Sequence, residues 1–291
     1  MANNDKGSTW WSEDTVAVVT GANKGIGLEM VRQFAQNGVT TILTARNEER
    51  GQSAVRLLKA EGLQNVDFHQ LEVTDLKSVE DFAAWLKQRY GGLDILINNA
   101  GMHSLNYTDK KQGAKDVIDA NYYGVKNVTK ELLPVIRTGG RIVNVSSRLG
   151  QLQNLNSKEL KETISSEEHL SENLIDSFVN EFLAAVNKGE ISKQGWPTVD
   201  FAGNDPEATS DYCVSKIALN AYTKVLAFQL SGRLYINSFC PGYTQTDMTR
   251  GLGTKTVKEG ADTGVWLALL PPSSHDLTSG KFFGERAQIP F

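Results

Sequence analysis

Short apolar runs alternate with longer amphipathic stretches along most of this chain. Thr15–Val19 is apolar without alternation, the pattern of a strand buried on both faces, and a glycine-rich turn follows it. From Leu28 to Asn37 the apolar positions take helical spacing, and Gly38 ends the run. The same alternation repeats with a strand at Thr41–Thr44 and a helix at Glu49–Ala60, then a strand at Val66–Leu71 and a helix at Leu76–Tyr90. Leu93–Ile97, Arg141–Val145 and Leu234–Phe239 complete the strand candidates, and Tyr212 opens a strong helical pattern through Ala218, Leu219, Tyr222 and Leu226. Strands alternating with helices of this length imply βαβ units and one parallel sheet covered on both faces, a doubly wound α/β fold.

One interval breaks the rhythm. About sixty mostly polar residues separate Leu149 from Asp211, and within them Leu174, Ile175, Phe178, Val179, Phe182, Leu183 and Val186 recur at steps of three and four. That spacing predicts an amphipathic helix over Ser171–Lys188 that packs one face on something. The reading is therefore an N-terminal extension (1–14) and a single domain (15–291), with a helical insertion at about 150–210. The insertion is either a surface addition stabilised by its own helix or a cover over a site or interface.

Composition narrows the partners. Thirty Lys and Arg face 34 Asp and Glu in 291 residues, a net charge of −4 that argues against a nucleic-acid surface. No run reaches the roughly 18 apolar residues of a membrane span, and the first twelve residues hold no apolar signal core. Cys213 and Cys240 are too few for a disulfide framework and fit a reducing compartment, so a cytoplasmic protein is expected. His69, His103, His169 and His275 have no metal-ligand spacing among themselves or with the cysteines, and no metal is expected.

The turn after the first strand reads Thr20-Gly-Ala-Asn-Lys-Gly-Ile-Gly27. Glycines allow close approach of backbone to ligand, and the helix that follows offers unpaired N–H groups and a positive dipole end to a pyrophosphate. In a Rossmann-type sheet an acid after the second strand favours NAD. Here that strand ends in Arg46 and Asn47, and Arg46 and Lys24 are cations suited to a 2′-phosphate, which predicts NADPH. Farther on, Tyr212 and Lys216 stand one helical turn apart, so an ammonium there would lower the phenol pKa and fit it for acid–base work. Asn98–Gly101, Val145–Ser147 and Pro241–Thr246 each follow a strand, at the edge where doubly wound sheets bind ligands.

TGANKGIG, NNAG, NVSS, YCVSK and PGYTQT, in this order, resemble the short-chain dehydrogenase/reductase family over about Thr15–Phe283. TARNEERG, ELLPVI and ADTGVWLALLPP, with the long interval before Tyr212, look like its carbonyl reductase subgroup. WWSEDTVAVVTGANKGIG and NAYTKVLA are similar to the plant branch with salutaridine and menthone or neomenthol reductases. The resemblance implies an NADPH-dependent reduction of a ketone or aldehyde on a hydrophobic small molecule such as a terpenoid, alkaloid, quinone or xenobiotic. Tyr212 would be the proton donor, Lys216 would lower its pKa and hold the ribose, Ser147 would orient the carbonyl, and Asn121 would hold a relay water. The implied cofactor contacts are Gly21, Asn23, Lys24, Gly25, Ile26, Gly27, Arg46, Glu72, Val73, Ala100, Gly101, Tyr212, Lys216, Pro241, Gly242 and Thr244. Asn98 would support the ribose region and the structure, and Thr246 the carboxamide.

Two departures bear on the site. Glu72 stands where the family usually has Asp, and only nineteen residues separate Gly101 from Asn121, so an insertion of some plant relatives is missing and the mouth is expected to be open. His103, Met102, Leu149, Trp196, Tyr243 and Met248 are candidates for a substrate wall, with core packing the alternative for the apolar ones. In carbonyl reductase-like relatives an inserted helix covers the face used for tetramers, which implies a monomer here. The competing functions are an ene-reductase, which the presence of Tyr212 disfavours, and a non-catalytic NADP(H)-binding regulatory protein, which would have no need of Ser147, Tyr212, Lys216 and Asn121 together.

Overall fold

The computed structural model describes residues 9–166, 168–199, 205–272, 274 and 278–291; His275 and the first eight residues of the expected extension lie outside them. Eight strands form one sheet in the order β3-β2-β1-β4-β5-β6-β7-β8. They are β1 (Val16–Val19), β2 (Thr40–Ala45), β3 (Val66–Gln70), β4 (Leu93–Asn98), β5 (Ile136–Val145), β6 (Tyr235–Cys240), β7 (Phe282–Gly284) and β8 (Ala287–Gln288). All neighbours pair in parallel except β7 and β8, which form an antiparallel hairpin. The chain reverses direction across the sheet between β1 and β4, so their carboxyl ends flank the crevice where such sheets take ligands.

Both faces of the central strands are buried, for the reason the unbroken apolar runs suggested. In β1, Val16 and Val18 enter one core with Leu96 and Ile142, while Ala17 and Val19 enter the other with Ile95 and Ile97. The second core is closed by α1 (Gly25–Gln36), α2 (Glu48–Ala60) and α9 (Val257–Leu269) through Met30, Phe34, Val55 and Val265. The first is closed by α3 (Leu76–Tyr90), α4 (Lys110–Ile118), α5 (Gly124–Leu132) and α8 (Ser210–Gln229). A π-helical turn, Asp119–Tyr123, joins α4 to α5. The N-terminal tryptophans fold back on the sheet, with Trp10 lying 4.3 Å from the Arg141 guanidinium and Trp11 against the second core.

The long interval contains α6 (Lys158–Ser165) and α7 (Glu172–Lys188). α7 begins where Ser171 accepts a bond from Leu174 N–H and ends at Gly189, whose φ of 67° gives a left-handed cap. Ile175, Phe178, Val179, Phe182 and Val186 are buried, so the helix lays its apolar stripe on α4 and α8. Its polar edge is fastened too: Asp176 accepts from Tyr122 Oη at 2.8 Å and pairs with Lys126 at 2.7 Å. Trp196 returns beneath α7 with its ring edge-on to Phe178 at 5.0 Å and Phe182 at 5.3 Å, and only 1% of it is exposed. Trp196 is thus a core residue and not part of a substrate wall. Its truncation to Ala should cost about 3–5 kcal/mol, the range for buried aromatics, read as a lower urea midpoint.

Candidate functional site

The glycine turn and the end of β4 are laced together. Thr20 Oγ1 accepts the N–H groups of Asn99 and Ala100, each at 3.0 Å, and Asn99 Nδ2 donates to Thr20 O at 2.8 Å and Gly21 O at 3.1 Å. Gly21 has φ +60°, and a β-carbon there would lie 2.8 Å from Ala100 Cα, so only glycine lets the two turns meet. α1 starts at Gly25 with no side-chain cap and no acid in its first turn. By contrast Asn47, Asp75, Asp109, Ser157, Ser171 and Thr256 cap α2, α3, α4, α6, α7 and α9. The first N–H groups of α1 therefore have no side-chain cap, behind a turn with three glycines, which suits a pyrophosphate.

Beyond β2, Arg46 is exposed, and among the described residues no carboxylate pairs with it or with Arg50. Arg50, which the sequence reading did not single out, lines a groove of about 470 Å³ with Asn23, Leu28 and Ser53. Its available signal was a second arginine four positions on, placed in the first turn of α2 by the bond from its N–H to Asn47 Oδ1 at 2.8 Å. Lys24 departs from expectation. It is no free cation but pairs with Asp247 at 2.5 Å, between two exposed side chains. Glu72 Oε1 accepts from Thr74 Oγ1 at 2.9 Å, and Val73 is buried where a β-carbon on Gly124 would touch it.

The acid–base candidates converge on α8, whose side chains are buried nearly all round. Lys216 Nζ donates to Val145 O at 2.9 Å and lies 5.5 Å from the centre of the Tyr212 ring. Ser147 stands beside the Tyr212 phenol, where its hydroxyl pulls the phenol down, and it accepts Leu149 N–H at 3.1 Å. Asn121 sits in the π-helical turn, where Oδ1 accepts Met102 N–H at 2.8 Å and Nδ2 donates to Met102 O at 2.9 Å and Ser215 Oγ at 3.0 Å. A β-carbon on Gly101 would stand 3.1 Å from Asn121 Oδ1 and 3.7 Å from Lys216 Nζ, so the end of β4, the π turn and α8 meet at one point. Asn98 points elsewhere: its Nδ2 donates to Asn144 Oδ1 at 2.9 Å and Thr129 Oγ1 at 3.2 Å inside the core. These bonds supply the structural part of the role expected of Asn98.

Burial governs both titrations. Desolvation lowers the Lys216 ammonium to about 8 and raises the Tyr212 phenol above its ordinary value. At the phenol, burial outweighs the downward pull of Ser147, while the ammonium donates to a backbone carbonyl. Cys213 is buried and its thiol is pushed up to about 12, so it stays neutral.

The mouth is made of two segments. Leu105 and Tyr107 from one, and Tyr243, Met248 and Leu252 from the other, account for five of the eight exposed large apolar side chains among the described residues. The segments touch where His103 Nε2 lies 3.1 Å from Met248 O and Arg250 donates to Asn106 Oδ1 at 3.0 Å.

The short chain dehydrogenase family model matches residues 15–158 and 201–258. The chain belongs to that family. It is 38% identical to short-chain dehydrogenase/reductase 1 of Saponaria officinalis over 98% of both chains. It is 39% identical to carbonyl reductase (NADPH) 1 of Homo sapiens, over 93% of this chain and 96% of that one. Among solved structures, salutaridine reductase from Papaver somniferum superposes with a TM-score of 0.84 at 34% identity, over 92% of this chain and 99% of that one.

In this short-chain dehydrogenase, Thr246 reaches back to the glycine turn, its Cγ2 standing 3.5 Å from where a Gly25 β-carbon would be. Thr244 is buried and packs on Gly260, and Gly242 has φ +79°, turning the chain after Pro241. Thr246 thus borders the glycine turn, whereas Thr244 packs inward. With lysine Cε labelled by 13C, one resonance should titrate with a midpoint near about 8 and vanish in Lys216→Met. A set of lysines all titrating near the ordinary ~10.4 would contradict the burial described here.

Proposed function

We propose that this chain is an NADPH-dependent reductase that converts a ketone or aldehyde on a hydrophobic small molecule to the alcohol. The observation that carries this reading is the meeting of Ser147, Tyr212 and Lys216 at the ligand edge of the sheet, beside a glycine turn with an uncapped helix behind it. The residues present fit the dinucleotide: Gly21 and Gly25 hold positive φ, no side chain caps α1, and Arg46 stands exposed with Arg50 nearby for a 2′-phosphate. Gly21–Gly27 would hold the pyrophosphate, Glu72 and Val73 the adenine, and Ala100, Gly101, Lys216 and Thr246 the ribose and carboxamide end. When bound there, NADPH supplies the hydride that reduces the carbonyl carbon.

The chain's own residues handle the oxygen. Ser147 Oγ–H donates to the carbonyl oxygen and polarises it. The Tyr212 phenol is protonated at neutral pH, as any phenol of ordinary pKa is, and passes its proton to that oxygen as the alcohol forms. The phenolate left behind is stabilised by the Lys216 ammonium, a cation still largely charged at neutral pH, and regains its proton from solvent. Asn121, clamped to Met102 and Ser215, keeps the π turn in register with α8 so that a water can be held there. The apolar rim of Leu105, Tyr107, Tyr243, Met248 and Leu252 favours a hydrophobic substrate. A (+)-neomenthol dehydrogenase of Arabidopsis thaliana, 38% identical, is consistent with a terpenoid-sized one.

The same reading makes the chain a cytoplasmic monomer: two free buried cysteines suit a reducing compartment, and α7 covers α4 and α8 with its own apolar face. No helix among the described residues is long and apolar enough to cross a membrane.

Tyr212→Phe should lower carbonyl reduction by about 10²–10⁴-fold, the worth of a positioned general acid, with NADPH binding by fluorescence titration nearly unchanged. Turnover at the wild-type rate would remove Tyr212 from the mechanism. Light scattering at micromolar concentration should return a mass near 31.9 kDa. A tetramer would mean that α7 leaves another face for association.

A further inference from the structure

Asp211 immediately precedes the tyrosine and is a buried carboxylate, only 6% exposed, that the reaction itself does not use. Burial raises its carboxyl above the ordinary range, so its place is costly and must be offset by bonds. Two bonds do so. Oδ1 accepts the N–H of Tyr212 at 2.6 Å, and Oδ2 accepts the hydroxyl of Ser104. One side chain thus joins the turn that presents the phenol to the segment that forms the near wall of the mouth.

That segment is fixed on its other side as well. A β-carbon on Gly113 of α4 would lie 2.9 Å from Ser104 Cβ and 3.0 Å from Tyr107 Cβ, so the wall lies flat against the helix. His103 Nδ1 accepts Leu105 N–H at 3.2 Å, which leaves Nε2–H to donate to Met248 O, and Asn106 Oδ1 accepts from Arg250. The opposite wall is tied in turn to the glycine turn through Asp247 and Lys24. A continuous set of bonds therefore runs round the mouth from the glycine turn to Tyr212, and Asp211 is its one buried charged member.

We propose that Asp211, acting through Ser104, is a positioning residue that sets the distance between the walls of the mouth and the Tyr212 phenol, and so determines how the carbonyl substrate is held. This rests on the function proposed above. The alternative is that Asp211 merely stabilises the first turn of α8.

The test pairs Ser104→Ala with Asp211→Ala and Asp211→Asn. In Ser104→Ala the KM for an aromatic ketone should rise about tenfold, as for loss of one bond to a charged group, with kcat within about twofold, and the melting temperature should fall because Asp211 Oδ2 is left unpaired. Amide hydrogen exchange should quicken in residues 102–107 and also in 243–252, which carry no substitution. Asp211→Asn, which keeps an acceptor for Tyr212 N–H, should recover most of what Asp211→Ala loses in KM. An unchanged KM with unchanged exchange in Ser104→Ala overturns the proposal, as does a melting temperature that falls with no change in KM in both Asp211 variants. Exchange needs no turnover, so a wild-type chain inert toward every carbonyl would sink the proposed function while the exchange of Ser104→Ala still decides this point.

Discussion

The structure depends on keeping a lysine ammonium and a phenol together in the least hydrated part of the molecule. A cation without a carboxylate partner is costly to bury, and desolvation dominates at Lys216 because a neutral carbonyl, Val145 O, is its hydrogen-bond acceptor. The surrounding fold must supply that environment. α8 is enclosed by the sheet on one side and by α4 and α7 on the other, so the helix that bears the chemistry is also among the most buried in the molecule. The same burial lowers the lysine and raises the phenol, so it favours the neutral form of each.

Much of this was legible in the sequence. Unbroken apolar runs gave the parallel strands, and the insertion helix began and ended at Ser171 and Lys188 because a serine cap and a left-handed glycine punctuate it. The ordered motifs lie together at the carboxyl ends of β1, β4, β5 and β6, since the topology allows such turns no other place. What remained hidden was set by tertiary contact. Trp196 had the composition of a pocket wall, yet two phenylalanines of α7 enclose it. Asn98 belongs to the same motif as Asn99, but successive strand residues face opposite sides, so one enters the core network and the other grips the glycine turn.

Electrostatics was the least readable layer, because charge on paper carries no partner. Lys24 reads as a free cation beside a phosphate site until the second half of the chain places Asp247 against it. The Tyr212–Lys216 spacing correctly puts both groups on one helix face, but burial, which spacing does not reveal, sets the direction of the phenol shift. α9 was recoverable in principle: Thr256 and Glu259 form a capping box whose signal is present in the sequence. The π-helical turn at Asn121 carried no such mark.

These contacts also bear on how a substrate would be oriented at the mouth. Apolar side chains on two separate segments would bind a hydrophobic molecule in many orientations if each segment moved on its own. Binding energy distributed that way lowers KM for any apolar ligand and contributes little to catalysis, which needs interactions specific to the reacting geometry. Tying both segments to the elements that carry the glycine turn and the phenol converts loose apolar contact into orientation. On the function proposed here, the walls would share a frame with Tyr212 and Ser147, so a carbonyl seated against them would come within reach of both hydroxyls. Specificity would then reside less in the identity of any rim residue than in the bonds, one of them to the buried Asp211, that hold the rim to the sheet.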